Sequence, residues 1–292
     1  MHGFEITFRS LNSEPYAKPI TALVLEPEYL SPNTGVMLVT HGWSGNRFQN
    51  QDKMEYVVER FDLICISVEF RQSGYDFDPI TGLGSYRPYD ASFLQVFDVL
   101  NALREVLILR PEVNRMRLFH YGGSQGGHIA LLSAIFAPHT FAFVYASSPL
   151  THLDEKFRLN AGREFAGYEC AARDAFAHAD RIQCPVFIEH GTNDSVVDFE
   201  RHTRAFVEKL LSLKKPVTHK YYPGGGHQLE PVASRLEAFK SMGSEPLQTL
   251  VREEVDDFEA AHKIEIPCAD RVLQIDWSQK SDSINLFTWL PR

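Results

Sequence analysis

The chain has 292 residues, a length that fits either one large α/β domain with an appendage or two small domains. Hydrophobic residues make up 44% of the sequence and charged residues 23%, a composition that is typical of globular proteins and excludes intrinsic disorder. The formal net charge of −9 argues against nucleic acid as the main partner, since phosphate binding requires a basic surface.

Along most of the chain, short apolar runs alternate with amphipathic segments. Residues 4–8 and 20–25 predict two N-terminal strands that we expect to be antiparallel. Further strands are predicted at 35–40, 63–68, 115–121, 141–146, 185–190 and 217–222, and helices at 50–60, 89–109, 125–136 and 199–213. This alternation predicts an α/β fold with a mainly parallel sheet of about eight strands and helices on both faces. Ligands of such sheets bind beyond the carboxyl ends of the strands.

Two stretches depart from the alternation. Residues 151–182 separate consecutive strands by more than a crossover helix needs, which predicts a small cap insertion within a main domain of residues 1–240. Residues 241–292 predict a C-terminal extension with a helix followed by a hairpin of 271–277 and 284–290. The helical face is indicated by Leu247, Leu250, Val251, Val255 and Phe258. Large apolar groups such as Trp277 predict that the extension packs on the body; a dimer stays an alternative for the hairpin.

The strongest local signal is Gly122-Gly123-Ser124-Gln125-Gly126, which lies between a predicted strand and a predicted helix. This G-x-S-x-G pattern in a strand–turn–helix context is typical of a nucleophile elbow, in which small residues let strand and helix approach. The start of the helix offers N–H groups, including that of Gln125, to a developing oxyanion. The pattern therefore predicts Ser124 as a nucleophile; the alternative is a glycine-rich turn without chemistry.

A serine nucleophile needs a base, and His227 is the best placed of the twelve histidines. It follows a predicted strand on a glycine-rich loop, from which an imidazole can reach over the sheet edge. The acid that orients it is predicted to be Asp194, in the turn after the strand at 185–190. The rival Asp198 directly precedes a predicted helix and is interpreted as its N-cap. Three other histidines are interpreted as packing or strand residues: His120, His128 and His219.

Together these motifs resemble the α/β-hydrolases, and within that fold the catalytic domain of the prolyl oligopeptidase family and related serine esterases. The resemblance covers roughly residues 18–240, and its carriers are His41-Gly42-Trp43, the Ser124 elbow, the segment 180–194 and the segment 222–227. It implies a Ser–Asp–His triad of Ser124, Asp194 and His227, and an acyl-enzyme route. It also implies that the backbone N–H of Trp43 is the second oxyanion donor beside that of Gln125.

Candidate substrate-binding residues are the Trp43 side chain and Tyr75, which begins an aromatic loop. Aromatic groups near a site favour an apolar or ring-bearing acyl or leaving group, with packing beneath a long loop as the alternative interpretation. The favoured function is a serine hydrolase that cleaves an ester, because only about 17 residues precede the resemblance whereas the peptidase relatives carry an N-terminal propeller. The alternatives are a small aminoacyl or peptide hydrolase of the same family, a cofactor-free lyase or perhydrolase, and a non-catalytic binding protein.

No phosphate-binding glycine loop and no metal-ligand spacing occur, so we expect neither a cofactor nor a metal. The expected partner is a small-molecule or short-peptide substrate, and both a monomer and a homodimer stay open. Four dispersed cysteines without a C-x-x-C spacing are interpreted as free thiols of a reducing compartment: Cys65, Cys170, Cys184 and Cys268. With no signal-peptide pattern and no apolar run of ~20 residues, the sequence predicts a cytoplasmic protein without a membrane partner.

Overall fold

The computed structural model describes residues 1–11, 18–74 and 88–292. Eight strands form its main sheet: β1 (His2–Ser10), β2 (Lys18–Glu26), β3 (Gly35–Thr40), β4 (Leu63–Glu69), β5 (Leu118–Gly123), β6 (Phe143–Ser147), β7 (Val186–Gly191) and β8 (Val217–Tyr222). Their order is β1-β2-β4-β3-β5-β6-β7-β8. The first strand pairs antiparallel with β2, which pairs antiparallel with β4, and all the remaining pairs are parallel. The predicted mainly parallel sheet is therefore confirmed.

Helices cover both faces of this sheet: α1 (Gln51–Phe61), α2 (Phe93–Leu109), α3 (Gln125–Phe136), α4 (Glu155–Ala161), α5 (Gly167–Ala172), α6 (Ala205–Ser212) and α7 (Arg235–Thr249). Strand β3 illustrates why, because successive side chains of a strand point to opposite faces. Val36 and Leu38 join a core with α2, α3 and α6, whereas Met37 and Val39 join a second core with α1 and α7. None of the helices in the described ranges has both the length and the apolar composition to span a bilayer.

The insertion between β6 and β7 holds α4, α5 and a short 3-10 helix, Ala179–Arg181. Asp154 caps α4, since its side chain accepts a hydrogen bond from the backbone N–H of Phe157 at 3.1 Å. The buried Arg173 donates to the backbone carbonyls of Asp90 and Ala91. These bonds tie the insertion to the segment that precedes α2.

Beyond the main sheet, the chain departs from the prediction. Helix α7 crosses the predicted boundary at residue 241 and ends at Thr249, so the helical face predicted as far as Phe258 was wrong beyond that point. Val251 and Val255, two members of that face, are exposed. The helix does not continue because of a contact with a distant part of the chain. The backbone N–H of Arg252 donates to the carbonyl of Met116, two residues before β5.

The extension ends in a three-stranded antiparallel sheet of β9 (Lys263–Cys268), β10 (Arg271–Asp276) and β11 (Phe287–Pro291), in the order β11-β10-β9. The predicted hairpin corresponds to β10 and β11, and β9 was missed. Pro267 lies within β9, and a proline normally argues against a strand unless the strand is at an edge. Here β9 is an edge strand, so the missing N–H costs little.

Trp277 links the extension to the body, and its loss is expected to be costly. The side chain is 1% exposed, its ring packs against those of Phe97 and Phe258, and its Nε1–H donates to the carbonyl of Phe136 at 3.0 Å. We expect Trp277→Ala to lower the free energy of unfolding by ~3–5 kcal/mol, measured by urea denaturation. Ile284→Ala, at a side chain that is 74% exposed, is the control and should change stability little. Equal stability of the two variants would contradict this account of the extension.

Candidate active site

The turn between β5 and α3 has the backbone geometry that the G-x-S-x-G pattern predicts. Ser124 has φ 57° and ψ −121°, a positive φ that is unfavourable for a residue with a side chain. A Cβ on Gly122 would overlap the backbone of Gly126, and a Cβ on Gly126 would overlap the carbonyl of Thr40. Strand and helix therefore approach so closely that only glycine fits at these two positions, and the Ser124 side chain projects from the tip of the turn.

The structure brings Ser124, His227 and Asp194 together at the carboxyl edge of the parallel sheet. His227 Nε2 lies 2.9 Å from Ser124 Oγ, and His227 Nδ1 lies 2.6 Å from Asp194 Oδ2. An ionised carboxylate can only accept hydrogen bonds, so Nδ1 carries the proton and donates it. The lone pair of Nε2 is then free to accept from the serine hydroxyl, which is the tautomer that general-base catalysis requires.

Asp194 is held by more than its bond to His227. Its Oδ1 accepts from the backbone N–H groups of Val196 and Val197 at 2.7 and 3.0 Å, and its Oδ2 also accepts from His190 Nε2 at 2.8 Å. Burial opposes ionisation of this carboxyl, but the hydrogen bonds from His190 and His227 outweigh it and hold the pKa of Asp194 well below its ordinary value. The acid is therefore anionic throughout the neutral range.

His190 is a site residue that was not predicted from the sequence, although it begins the turn that contains Asp194. It is the last residue but one of β7 and is fully buried, and its Nδ1 lies 2.6 Å from Thr203 Oγ1. Because Nε2 donates to Asp194, Nδ1 accepts from the threonine hydroxyl. The pair helps to fix the orientation of the carboxylate through Oδ2, the same oxygen that accepts from His227. The signal in the sequence that could have identified His190 is its position four residues before the predicted acid.

The rival acid lies elsewhere. Asp198 Oδ1 accepts a hydrogen bond from the backbone N–H of Arg201 at 2.9 Å, at the start of a π-helical turn, Glu200–Arg204, that leads into α6. This is the capping contact that its sequence position indicated. The structure places Asp194, and not Asp198, against His227.

The other candidate histidines have structural surroundings. Burial lowers the pKa of His120 and of His128 to about 3, so both rings are neutral. His128 Nε2 lies 2.8 Å from the carbonyl of Arg173, and His120 Nε2 lies 3.2 Å from Thr40 Oγ1. His219 lies on β8 with its side chain exposed. We interpret these contacts as packing.

The two predicted oxyanion donors lie on the two sides of Ser124. Gln125 is the first residue of α3, so its backbone N–H has no carbonyl partner within the helix. On the other side, a Cβ added to Gly42 would lie 3.4 Å from Ser124 Cβ, which places the loop containing Trp43 directly against the nucleophile. The Gln125 side chain is buried and accepts a hydrogen bond from Tyr89 Oη at 2.8 Å. The roles of Trp43 and Gln125 in catalysis stay predictions.

An aromatic wall borders this loop. The half-buried ring of Trp43 lies 4.2 Å from that of Tyr89 and 6.2 Å from that of Phe157, which the cap supplies from α4. Tyr89 and Phe157 are both buried, so they support the Trp43 ring from beneath, and Trp43 is the member of this group that is partly exposed. Tyr75, the second predicted substrate-binding residue, lies outside the described residues, and its assignment stays a prediction.

One group of side chains in the described ranges has ligand atoms close enough to consider a metal: His139, Asp257 and His262, within 4.8 Å of one another. They lie beyond the C-terminal end of α3, whereas Ser124 precedes its N-terminal end. Asp257 already accepts from His262 Nδ1 at 2.9 Å and from the backbone N–H of His139 at 2.7 Å. These bonds account for the cluster as a link between the extension and the body.

Comparison with known sequences agrees with the geometry. The sequence model of the prolyl oligopeptidase family matches residues 94–243, which include Ser124, Asp194 and His227. The uncharacterized peptidase YtmA of Bacillus subtilis (strain 168) is 30% identical over 150 residues, which are 47% of this chain and 58% of YtmA. The chain therefore spans less than two thirds of that relative.

Solved structures with the same fold include the acylaminoacyl peptidase of Pyrococcus horikoshii, with a TM-score of 0.68 and 16% identity over 87% of this chain and 42% of that one. A puromycin-hydrolyzing peptidase of Mycobacterium tuberculosis has a TM-score of 0.61 and 21% identity over 82% of this chain and 39% of that one. Both similarities confirm the predicted α/β-hydrolase fold, and this chain covers less than half of each of the two structures.

Proposed function

The chain belongs to the prolyl oligopeptidase family, and from this premise we propose that it is a serine peptidase that hydrolyses peptide or aminoacyl amide bonds through an acyl-enzyme on Ser124. The observation that carries the proposal is the hydrogen-bonded series from Ser124 through His227 to Asp194. Family membership favours a peptidase over the ester hydrolase that the sequence analysis placed first, and YtmA is likewise named a peptidase.

The geometry supports the following steps. His227 Nε2 takes the proton from Ser124 Oγ as the oxygen attacks the scissile carbonyl, and Asp194 stabilises the imidazolium that forms. The resulting oxyanion accepts hydrogen bonds from the backbone N–H groups of Gln125 and Trp43, each of which is worth ~3 kcal/mol of transition-state stabilisation. The imidazolium then protonates the leaving amine as the C–N bond breaks. Water next attacks the acyl-enzyme while His227 takes its proton, and the imidazolium returns that proton to Ser124 Oγ as the ester bond breaks.

The ring of Trp43 supports a preference for an apolar acyl portion. It is half-buried, it lies on the loop that touches Ser124, and it packs on the buried rings of Tyr89 and Phe157. An aromatic surface of this kind binds side chains of similar chemistry. We therefore propose that the residue whose carbonyl is attacked carries an apolar or aromatic side chain.

Two measurements test this function. Labelling by a fluorophosphonate probe reports whether Ser124 is an activated nucleophile. A panel of p-nitroanilides and p-nitrophenyl esters with identical acyl groups, phenylalanyl, leucyl, glycyl and their N-acetyl forms, then separates amide from ester hydrolysis. We expect turnover of the anilides, with phenylalanyl above glycyl. Labelling together with turnover of esters alone would overturn the peptidase proposal and leave a serine esterase.

The activity should depend on pH through His227. Burial lowers the pKa of His227 below its ordinary value of 6.5, the hydrogen bond to Asp194 opposes this in part, and the charge of Arg235 adds to the lowering. Only the neutral imidazole is a base, so kcat/KM should rise with pH as His227 loses its proton, with a midpoint below 6.5. The measurement is kcat/KM from pH 4 to 8 on a substrate that does not titrate. A midpoint above that of free histidine would contradict it.

We also propose that the protein works in a reducing, cytoplasmic compartment. All four cysteines are free in the structure, and three of them are buried. Burial raises the pKa of the Cys65 thiol and raises that of Cys184 to about 12, which keeps both unreactive.

A further inference from the structure

Gly123, the residue before the nucleophile, is a glycine that the elbow itself does not explain. The elbow needs small residues at 122 and 126, and its position 123 admits any residue. A Cβ on Gly123 would instead lie 2.8 Å from Nη1 of Arg235. We infer that Arg235 is a positioning residue that holds the His227 loop in register with the nucleophile turn, and that residue 123 is glycine to admit its guanidinium group. This inference rests on the proposed function of the triad.

Arg235 binds the backbone of His227 and lies against the residue that precedes Ser124. It is the first residue of α7, eight residues after His227, and its Nη2 donates to the backbone carbonyl of His227 at 2.7 Å. Its Nη1 faces Gly123, next to Ser124. One planar group thus sets the distance between the loop that carries the base and the turn that carries the nucleophile. Lysine offers a single point charge and cannot make both contacts in fixed geometry.

Several ionisable side chains surround the guanidinium group of Arg235. Burial lowers the pKa of Arg235, and the negative charges of Glu189 on β7 and Asp194 after β7 oppose this in part. Tyr121 on β5 is also near, but burial raises the pKa of its hydroxyl and keeps it neutral. Lys53 on α1 feels the charges of both Arg235 and Glu189. Glu189 is fully buried, and burial raises its pKa to about 7 against the opposing effects of Tyr145, Ser147, Arg235 and Lys53. The guanidinium therefore sits in a buried cluster that also contains an acid.

The groups that face His227 are Ser124, Asp194 and His190, together with Arg235. The positive charge of Arg235 disfavours the imidazolium form, so it contributes to the lowered pKa of His227. Its removal should raise that pKa, and the acid limb of the pH profile should then move to higher pH. A residue with a purely structural role would leave this limb where it is.

The test compares Arg235→Met and Arg235→Lys with the wild type, and uses Lys53→Met as the control. Lys53 belongs to the same buried cluster but makes no hydrogen bond to His227 among the described contacts. We expect Arg235→Met to lower kcat/KM by ~10–100-fold, the loss expected when a catalytic group such as His227 is displaced. It should also move the acid limb of the pH profile to higher pH. Arg235→Lys should lose activity with a smaller movement of the limb, because the charge is kept. Lys53→Met should change neither kcat/KM nor the acid limb of its pH profile.

Gly123→Ala provides an independent arm, because a methyl group there should push Arg235 away. Its loss of kcat/KM should be large in the wild type and small in a protein that also carries Arg235→Ala, so the double-mutant cycle of Gly123→Ala and Arg235→Ala should be strongly non-additive. Additive losses, or an unmoved acid limb in folded Arg235→Met, would overturn the inference.

A titration of the His227 ring by NMR reads the effect of Arg235 without substrate. If the wild-type protein resists fluorophosphonate, the proposed function fails, while the NMR titration still decides the role of Arg235. If Arg235→Met does not fold, Arg235→Lys still tests the loss of activity, and Gly123→Ala, which should displace the guanidinium from His227, still tests the movement of the acid limb.

Discussion

Replacement of Ser124 by alanine is expected to lower kcat by ~10⁴–10⁶ and leave the fold intact. The Ser124 Oγ lies 2.9 Å from the base and is the atom that becomes acylated in the proposed mechanism. Alanine keeps the backbone of the turn, including its positive φ, and removes only this atom. The expected readouts are loss of turnover, loss of fluorophosphonate labelling, and an unchanged melting temperature to within a few degrees.

Ser148 is a matched control for this variant. It follows β6 at the same edge of the sheet, is buried and also has a positive φ of 45°. Its backbone N–H donates to the carbonyl of Glu189, a bond that alanine keeps. Ser148→Ala should therefore retain kcat. Near-wild-type turnover by Ser124→Ala, or equal losses in the two variants, would remove Ser124 from its proposed role.

Asp194→Asn is expected to lower kcat by ~10⁴-fold, as in other triads in which the acid becomes an amide. The carboxylate accepts from both His227 and His190 on one oxygen. An amide NH₂ group in that place donates instead, so His227 must turn or change tautomer, and its Nε2 then carries the proton that should come from Ser124. Asp198→Ala is the control: loss of its cap should cost ~1 kcal/mol of stability and leave kcat nearly unchanged. Reversed outcomes would exchange the two assignments.

The same variant should change stability with a definite sign in pH. Since the pKa of Asp194 is depressed in the folded state, its ionised form stabilises the fold above the ordinary value of 3.8, and that contribution disappears as the pH falls through the lower folded-state pKa. The difference in melting temperature between the wild type and Asp194→Asn should therefore be larger at pH 7 than at pH 3.

The sequence predicted most closely what is decided locally. The central strands are buried on both faces, so their sequences are continuous apolar runs. The bounds predicted for the edge strand β8 also agree with those observed. The nucleophile turn could also be predicted, because Gly122 is required by its contact with Gly126, four residues along the chain. The assignment of Asp194 over Asp198 followed from turn and cap positions in the same way.

What the sequence could not predict depends on contacts between distant segments. Helix α7 ends at Thr249 because the backbone N–H of Arg252 bonds to the carbonyl of Met116, 136 positions earlier in the chain. No local sequence pattern indicates that bond. The contacts of His190 and Arg235 with the triad likewise require β7, α7 and the nucleophile turn to be in place. The sequence near Arg235 does not indicate these partners, and the signal for His190 is its position four residues before Asp194.

The bond between Trp277 and Phe136 has a consequence for how the molecule fluctuates. Helix α3 starts beside Ser124, and the carbonyl of its last residue, Phe136, accepts the Trp277 indole N–H. Carbonyls at the end of a helix lack partners within it, so this bond anchors the end of α3 that is remote from the nucleophile. Any local opening that detaches the extension also releases that anchor. The backbone amides of α3 and of the sheet formed by β9 and β10 should therefore exchange with solvent deuterium as one cooperative unit, which makes the rigidity of the nucleophile's helix depend on residues far along the chain.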